Sequence, residues 1–436
     1  MTPDGPPAAE PLDPVDAAWL HIDGPANPAV VIGVSITRTP VDFTRLRALV
    51  RRRLLSFPRF RQRVVEHGLL LPEPAWEEVP DFDLDAHLHH AALPAPRNQA
   101  ALRTLLDELA STPLDRSRPL WQMVLVERVG RGSALVLRYH HCLGDGRAMM
   151  TVGARLFDMP AAARPVAPPR RERQAPPGLA DKAALALRGG ATLVADLLKW
   201  PDPPSPFKGE FGLAKRVAWS KPLPLADTRA IGAAHGAKLN DVLVAAVAGA
   251  LRGYLHHRGA ALTGRTLRAM VPVDLRPPEH ADRLGNEFGL VILDLPVDTP
   301  RAAQRLALTR ERMEALKHSA EPLAMWLLFD IFGRGPKAVQ DVASLLFASK
   351  TSVVMTNVIG PSAPVKLAGA EVERLLFCVP HPGTEVGMGL SILSYAGQVT
   401  LGVIADARLV PDPEAIARGF EREFAALGRC RPITGP

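Results

Sequence analysis

The sequence predicts a mixed α/β fold built as two halves joined by a proline-rich connector. Three observations carry this reading. Apolar runs of strand length alternate with segments of helical spacing in both halves. The 43 prolines are unevenly placed, and a dense share falls between Pro160 and Pro206, in Pro165-Val-Ala-Pro-Pro169, Pro176-Pro177 and Pro201-Asp-Pro-Pro-Ser-Pro206. Such a composition interrupts helices and strands. A chain of 436 residues is also expected to form one large domain or two of about 200 residues.

In the N-terminal half, residues 29–37 read as a strand, Asp42 as the cap of a helix running to Leu55, and residues 99–110 as a helix. Residues 121–129 and 133–139, separated by Gly130-Arg-Gly132, read as an antiparallel hairpin, and residues 147–157 as a short helix. Within the connector, residues 179–200 have helical apolar spacing. They form either an ordered helix crossing between the halves or an amphipathic surface helix. In the C-terminal half, helices are expected over 240–256, 301–318, 337–348 and 413–427. Strands are expected near 266–273, 288–296, 351–356, 388–395 and 399–405. The unusually apolar stretch 323–332 reads as a buried helix, with a lipid-facing patch as the alternative.

Composition narrows the function classes. A hydrophobic content of 47% supplies a sizeable core and excludes a disordered chain. A net charge of +7 fits an anionic ligand or membrane surface. No basic run is interleaved with aromatics, so nucleic acid is not expected as a partner. Cys142, Cys378 and Cys430 are far apart and odd in number, which suits a reducing cytoplasm. The N-terminus lacks the basic and apolar regions of a signal peptide, and no apolar run reaches the roughly 18 residues of a membrane span.

The most informative stretch is His140-His141-Cys142-Leu143-Gly144-Asp145-Gly146. It stands between a predicted strand and a predicted helix, with glycines permitting a sharp turn. Histidine titrates near neutral pH and can take a proton from a hydroxyl or amine. A nearby carboxylate can fix the loop by pairing with a cation. Adjacent histidines on an extended segment point to opposite faces, so they do not readily chelate one metal ion. A buried hydrogen-bonded pair is the bland alternative. Cys142 lacks a surrounding pattern for a nucleophile. His87, His89 and His90 fit a solvated loop, since no acidic or cysteine ligands complete a metal site.

With these segments in place, the chain resembles the bacterial wax ester synthase / diacylglycerol acyltransferase family, which is similar in fold to chloramphenicol acetyltransferase and to peptide-synthetase condensation domains. The resemblance spans nearly the whole chain. It rests on Pro14-Val-Asp-Ala-Ala-Trp-Leu20, Pro58-Arg-Phe-Arg-Gln-Arg63, Pro119-Leu-Trp121 before the HHxxxDG, and Leu239-Asn-Asp-Val242. It continues in Pro272-Val-Asp-Leu-Arg276 with Gly285-Asn286, and in Thr356-Asn-Val-Ile-Gly-Pro361. Thr356, Ile359 and Asp274 stand where the family often has Ser, Pro and Ser.

The resemblance implies two chloramphenicol acetyltransferase-like subdomains with an active site at their interface. Residues 1–160 would form the N-terminal subdomain with HHxxxDG, 161–215 the connector with its helix, and 216–436 the condensation-like C-terminal subdomain. It implies acyl transfer from acyl-CoA, used as a co-substrate with no bound cofactor or metal, to the hydroxyl of diacylglycerol or a fatty alcohol, without a covalent acyl-enzyme. In that reading His141 is the base and His140 helps hold the loop. Asp145 orients it through an ion pair for which Arg276 is a candidate, and Gly146 provides backbone space.

Asn240 is the oxyanion or acceptor-binding candidate, unless it or Asp241 simply caps the following helix. Thr356 and Asn357 end a strand and either line the site or finish the strand. Pro119 and Trp121 form core or tunnel wall. Arginines among the basic excess are expected to hold the coenzyme A phosphates. The protein is expected in the cytoplasm, associated peripherally with the inner membrane or lipid droplets. Two alternatives remain: a condensation-type acyltransferase acting on a natural-product hydroxyl or amine, and a non-catalytic lipid-droplet binding protein.

Overall fold

The computed structural model describes residues 9–67, 73–160, 202–317, 349–381 and 385–431. The predicted helices over 179–200 and 337–348 and the apolar stretch 323–332 lie outside them.

Among the described residues the architecture is mixed α/β, organised on two large twisted sheets. The N-terminal sheet has the order β13-β14-β2-β7-β6-β5. These strands are β2 (Val30–Thr37), β5 (Leu88–Ala92), β6 (Trp121–Val129), β7 (Gly132–His140), β13 (Lys366–Leu367) and β14 (Ala370–Cys378). The C-terminal sheet has the order β11-β10-β12-β15-β16-β8, with β9 (Leu223–Pro224) on β16. Its strands are β8 (Lys215–Trp219), β10 (Leu267–Asp274), β11 (Phe288–Leu295), β12 (Val353–Ile359), β15 (Met388–Tyr395) and β16 (Gln398–Asp406). A small sheet joins β1 (Glu10–Pro11), β4 (Glu73–Glu78) and β3 (Gln62–His67).

The hairpin β6–β7 forms because both strands are near-continuous apolar runs meeting across a short glycine turn. The helix α2 (Phe43–Leu49) is capped by Asp42, whose carboxylate accepts the Arg45 N–H at 2.7 Å, and it passes into a π-helical turn at Val50–Leu54. The C-terminal sheet is covered by α6 (Leu239–His257) and α8 (Pro413–Arg429), which share one core with its inner face. Gly419 and Ala250 let those two helices approach closely.

Two strands change sides. β13 and β14 come from the C-terminal half, yet β14 extends the N-terminal sheet antiparallel to β2, from Val372↔Thr37 to Cys378↔Ile32. It crosses directly over β15 and β16. A Cβ at Gly389 or Gly402 would collide with the carbonyl oxygen of Val379 or Phe377, so glycine at these points lets the sheets touch backbone to backbone.

Two expectations are corrected. His87, His89 and His90 do not sit on a solvated loop. β5 pairs in parallel with β6, His87 is buried with Nδ1 2.8 Å from the Trp121 carbonyl oxygen, and His90 stacks on Phe43. Aromatic stacking and a strand partner outweigh the polarity of the stretch. β12 does not stop at Thr356. It runs to Ile359 because parallel pairing with β15 continues through Ile359↔Ser394, so Thr356 and Asn357 lie within the strand.

Candidate active site

The motif lies where the two sheets meet. β7 ends at His140, His141–Leu143 forms a single 3-10 turn, and α4 (Gly146–Leu156) starts immediately after. Gly144 adopts φ 156°, and a Cβ there would stand 2.7 Å from that of Ala148, so the turn needs glycine. The loop before β11 docks on the motif. Gly144 bridges Gly285, the Gly285 N–H donates to the Leu143 carbonyl, and the Asp145 N–H donates to the Gly285 carbonyl.

Asp145 joins these pieces. Its Oδ1 accepts the Ala148 N–H at 2.8 Å, capping α4. Its Oδ2 accepts the Glu287 N–H at 3.0 Å and the Arg276 guanidinium at 3.0 Å. Arg276, its side chain 1% exposed, also donates to the Gly285 carbonyl and to Glu287. Asp145 therefore clamps a loop from β10–β11 to the motif, with both carboxylate oxygens engaged in structural hydrogen bonds.

The two histidines point apart. His140 accepts the Cys142 N–H on Nδ1 and turns Nε2 toward Asp23, 3.8 Å away. Asp23 in turn holds the Ala29 N–H and Arg116. His141 turns the other way. Its ring stacks on Trp19 at a centroid distance of 3.8 Å, and its Nδ1 lies 3.1 Å from Asn286 Oδ1. Burial pushes its pKa down to about 4, so at neutral pH it is an uncharged imidazole able to accept a proton. Cys142 beside it is fully buried, and burial raises its thiol pKa well above the ordinary value, which leaves it inert as a nucleophile.

The remaining predicted residues fall in two places. Along β12, Val354 packs with Met270, Phe288 and Trp19, and Val358 comes up against Gly146. Strand alternation puts Thr356 on this same face, toward the motif. Met355 packs in the core under α6, and Asn357 shares that opposite face, where its amide donates 2.6 Å to Asn240 Oδ1. Asn240 is the second residue of α6, and Asp241 reaches back to accept the Lys238 N–H at 2.8 Å, closing the helix start. Pro119 is buried, and Trp121 is buried with its indole N–H donating 2.8 Å to the Phe60 carbonyl. Among the described residues, no cluster of three His, Cys, Asp or Glu side chains could hold a metal ion.

Four neighbours of the motif were not assigned roles from the sequence: Asp16, Trp19, Asn286 and Glu287. Asp16 and Trp19 stand three residues apart on α1 (Pro14–Ile22), hence on one face. The Asn286 amide donates to Asp16 Oδ1 at 2.7 Å and to the His141 carbonyl at 2.8 Å. All four belong to or adjoin short segments already singled out, but no sequence spacing links positions 16, 141 and 286.

Two mixed sheets meeting at an HHxxxDG turn define the chloramphenicol acetyltransferase-like class that includes condensation domains. The first condensation domain of the calcium-dependent antibiotic synthetase superposes with a TM-score of 0.63 at 20% identity, covering 97% of this chain and 96% of that one, a likeness of fold. The wax ester synthase/diacylglycerol acyltransferase from Marinobacter aquaeolei superposes with a TM-score of 0.72 at 25% identity, over 96% of this chain and 98% of the other. The profile of the wax ester synthase/diacylglycerol acyltransferase catalytic domain matches residues 12–202, and that of the WS/DGAT C-terminal domain residues 284–428. A Mycobacterium tuberculosis relative named as a diacylglycerol O-acyltransferase is 30% identical over 95% of this chain and 96% of its own length. Another from that species, "Probable diacylglycerol O-acyltransferase tgs1", is 29% identical over 88% of each chain. The chain belongs to the wax ester synthase/diacylglycerol acyltransferase family.

Proposed function

We propose that this protein moves a long-chain acyl group from acyl-CoA to the hydroxyl of diacylglycerol or a fatty alcohol, giving triacylglycerol or wax ester. The observation that carries this is the setting of His141: a neutral, stacked imidazole, with the neighbouring thiol buried and the neighbouring carboxylate Asp145 fully engaged. His141 removes the hydroxyl proton as the oxygen attacks the thioester carbonyl. The tetrahedral intermediate collapses with loss of the coenzyme A thiolate, which takes the proton from His141 to leave as free coenzyme A, and no acyl-enzyme forms. Thr356, on the face of β12 toward the motif, is a side-chain candidate to bind the oxyanion or acceptor. Asn240, Asp241 and Asn357 support the end of that strand and the start of α6.

The test is incubation of the purified protein with labelled palmitoyl-CoA and a panel of hydroxyl and amine acceptors, resolved by thin-layer chromatography. Ester is expected. His141→Ala should lower its formation by roughly a hundred- to ten-thousand-fold while the protein stays folded, and His140→Ala should cost less. A folded His141→Ala that keeps most activity would overturn the base role. Labelled amide in place of ester would favour a condensation-type reaction.

We also propose peripheral attachment to the inner membrane or to lipid droplets. The substrates partition into lipid, the net charge is +7, and no helix among the described residues is long and apolar enough to cross a membrane. Salt or carbonate should release the protein from pelleted membranes. Retention until detergent is added would refute peripheral binding.

A further inference from the structure

His141 is held by groups from distant parts of the chain. Asn286 lies 3.1 Å from its Nδ1, and behind Asn286 lies Asp16, whose Oδ1 accepts both the side-chain and the backbone N–H of Asn286, at 2.7 and 2.9 Å. Asn286 and Asp16 are both buried, at 4% and 5% exposure. The donors and acceptors fix which way the amide faces. Its nitrogen points at Asp16 Oδ1 and at the His141 carbonyl oxygen, and a carbonyl oxygen can only accept. Its oxygen is therefore the atom that meets His141 Nδ1, and Nδ1 must carry the hydrogen.

We infer that Asp16 and Asn286 are positioning residues that lock His141 in the tautomer with hydrogen on Nδ1, leaving the Nε2 lone pair free for the acceptor hydroxyl. The inference rests on the reading of His141 as the base. A neutral imidazole in water favours the other tautomer, whose lone pair on Nδ1 would face the oxygen of Asn286. Trp19 completes the device by holding the ring flat. The contact differs from a carboxylate–histidine pair, because an amide brings no charge to the imidazole. Burial also raises the Asp16 carboxyl to about 8, so the whole relay is neutral near pH 7. It orients the base without raising its basicity, in keeping with the depressed pKa of His141.

Histidine-selective ¹⁵N labelling tests this directly, because a ring nitrogen bearing hydrogen and one bearing a lone pair resonate far apart. The His141 signals are identified by their loss in His141→Gln. Wild-type protein at pH 7 should show Nδ1–H. Asn286→Leu should shift His141 toward Nε2–H and lower kcat by roughly ten- to a thousandfold, with KM for palmitoyl-CoA little changed. Asp16→Leu should act in the same direction. Asp16→Asn, which keeps an acceptor oxygen, should recover most of the kcat lost in Asp16→Leu. Nε2–H in the wild type would overturn the inference even if Asn286→Leu failed to fold. So would a folded Asn286→Leu that keeps Nδ1–H, or an Asp16→Asn no better than Asp16→Leu. A wild type that holds Nδ1–H yet transfers no acyl group would support the lock while overturning the function proposed for His141.

Discussion

The Asp145–Arg276 pair is a deeply buried ionic contact at the motif, with both side chains almost wholly removed from water. Deleting one partner of such a pair strands the other charge and costs about 3–5 kcal/mol. Asp145→Ala and Arg276→Ala should each lower the thermal midpoint and the rate together, as calorimetry beside turnover would show. An unchanged midpoint with a lost rate would place Asp145 in the chemistry itself. Asp16 makes a pH prediction. Burial lifts its carboxyl from the ordinary value near 4 to about 8. Between those values the folded protein keeps a proton that the unfolded chain has released, so stability falls as pH rises across that window. Asp16→Asn removes this slope. Urea unfolding of both proteins at pH 5 and pH 8 reads this, and the stability of Asp16→Asn relative to wild type should rise between the two; an unchanged relative stability would refute the assignment. At this scale the sequence shows the motif, because His140, His141 and Asp145 fall within one short stretch of chain. It hides the partners of His141, because Asp16 and Asn286 are 270 residues apart and meet only through tertiary packing.

Elements were legible where they are long and one chemical character dominates them. The hairpin β6–β7, α6, β15, β16 and α8 fall within a residue or two of their expected limits. Those whose partners rather than composition decide their state were not. β14, Ala-Glu-Val-Glu-Arg-Leu-Leu-Phe-Cys, carries charges through its first half and forms a strand because β2 offers an open edge. β5 owes its state to β6 and to the aromatic rings around His87 and His90. α1 is a nine-residue helix whose sequence shows neither a strong apolar stripe nor a side-chain cap. It persists because Val15, Ala17 and Leu20 are buried while Asp16 and Trp19 are engaged at the motif.

At the scale of the molecule, the halves expected from the connector are interlocked rather than merely adjacent. β14 belongs by sequence to one half and by hydrogen bonding to the sheet of the other. The buried Lys215–Asp406 pair, which also holds the Ala26 carbonyl, ties the C-terminal sheet to the N-terminal region. This geometry governs the order of events on the ribosome. β2 gains β7 on one side early in synthesis, but its other edge waits for β14, more than half the chain length later. Through that interval the nascent protein exposes an apolar strand edge, the kind of surface that recruits chaperones or pairs with a neighbouring chain. Chains terminated just before Ala370, which lack β14 together with β15, β16 and α8, should aggregate or resist cooperative unfolding, and supplying the segment from Ala370 onward in trans should rescue them in part. A soluble, cooperatively melting truncation would show that the edge is protected some other way. Completion of the N-terminal sheet, and with it the wall behind the histidine turn, thus belongs to the last steps of translation.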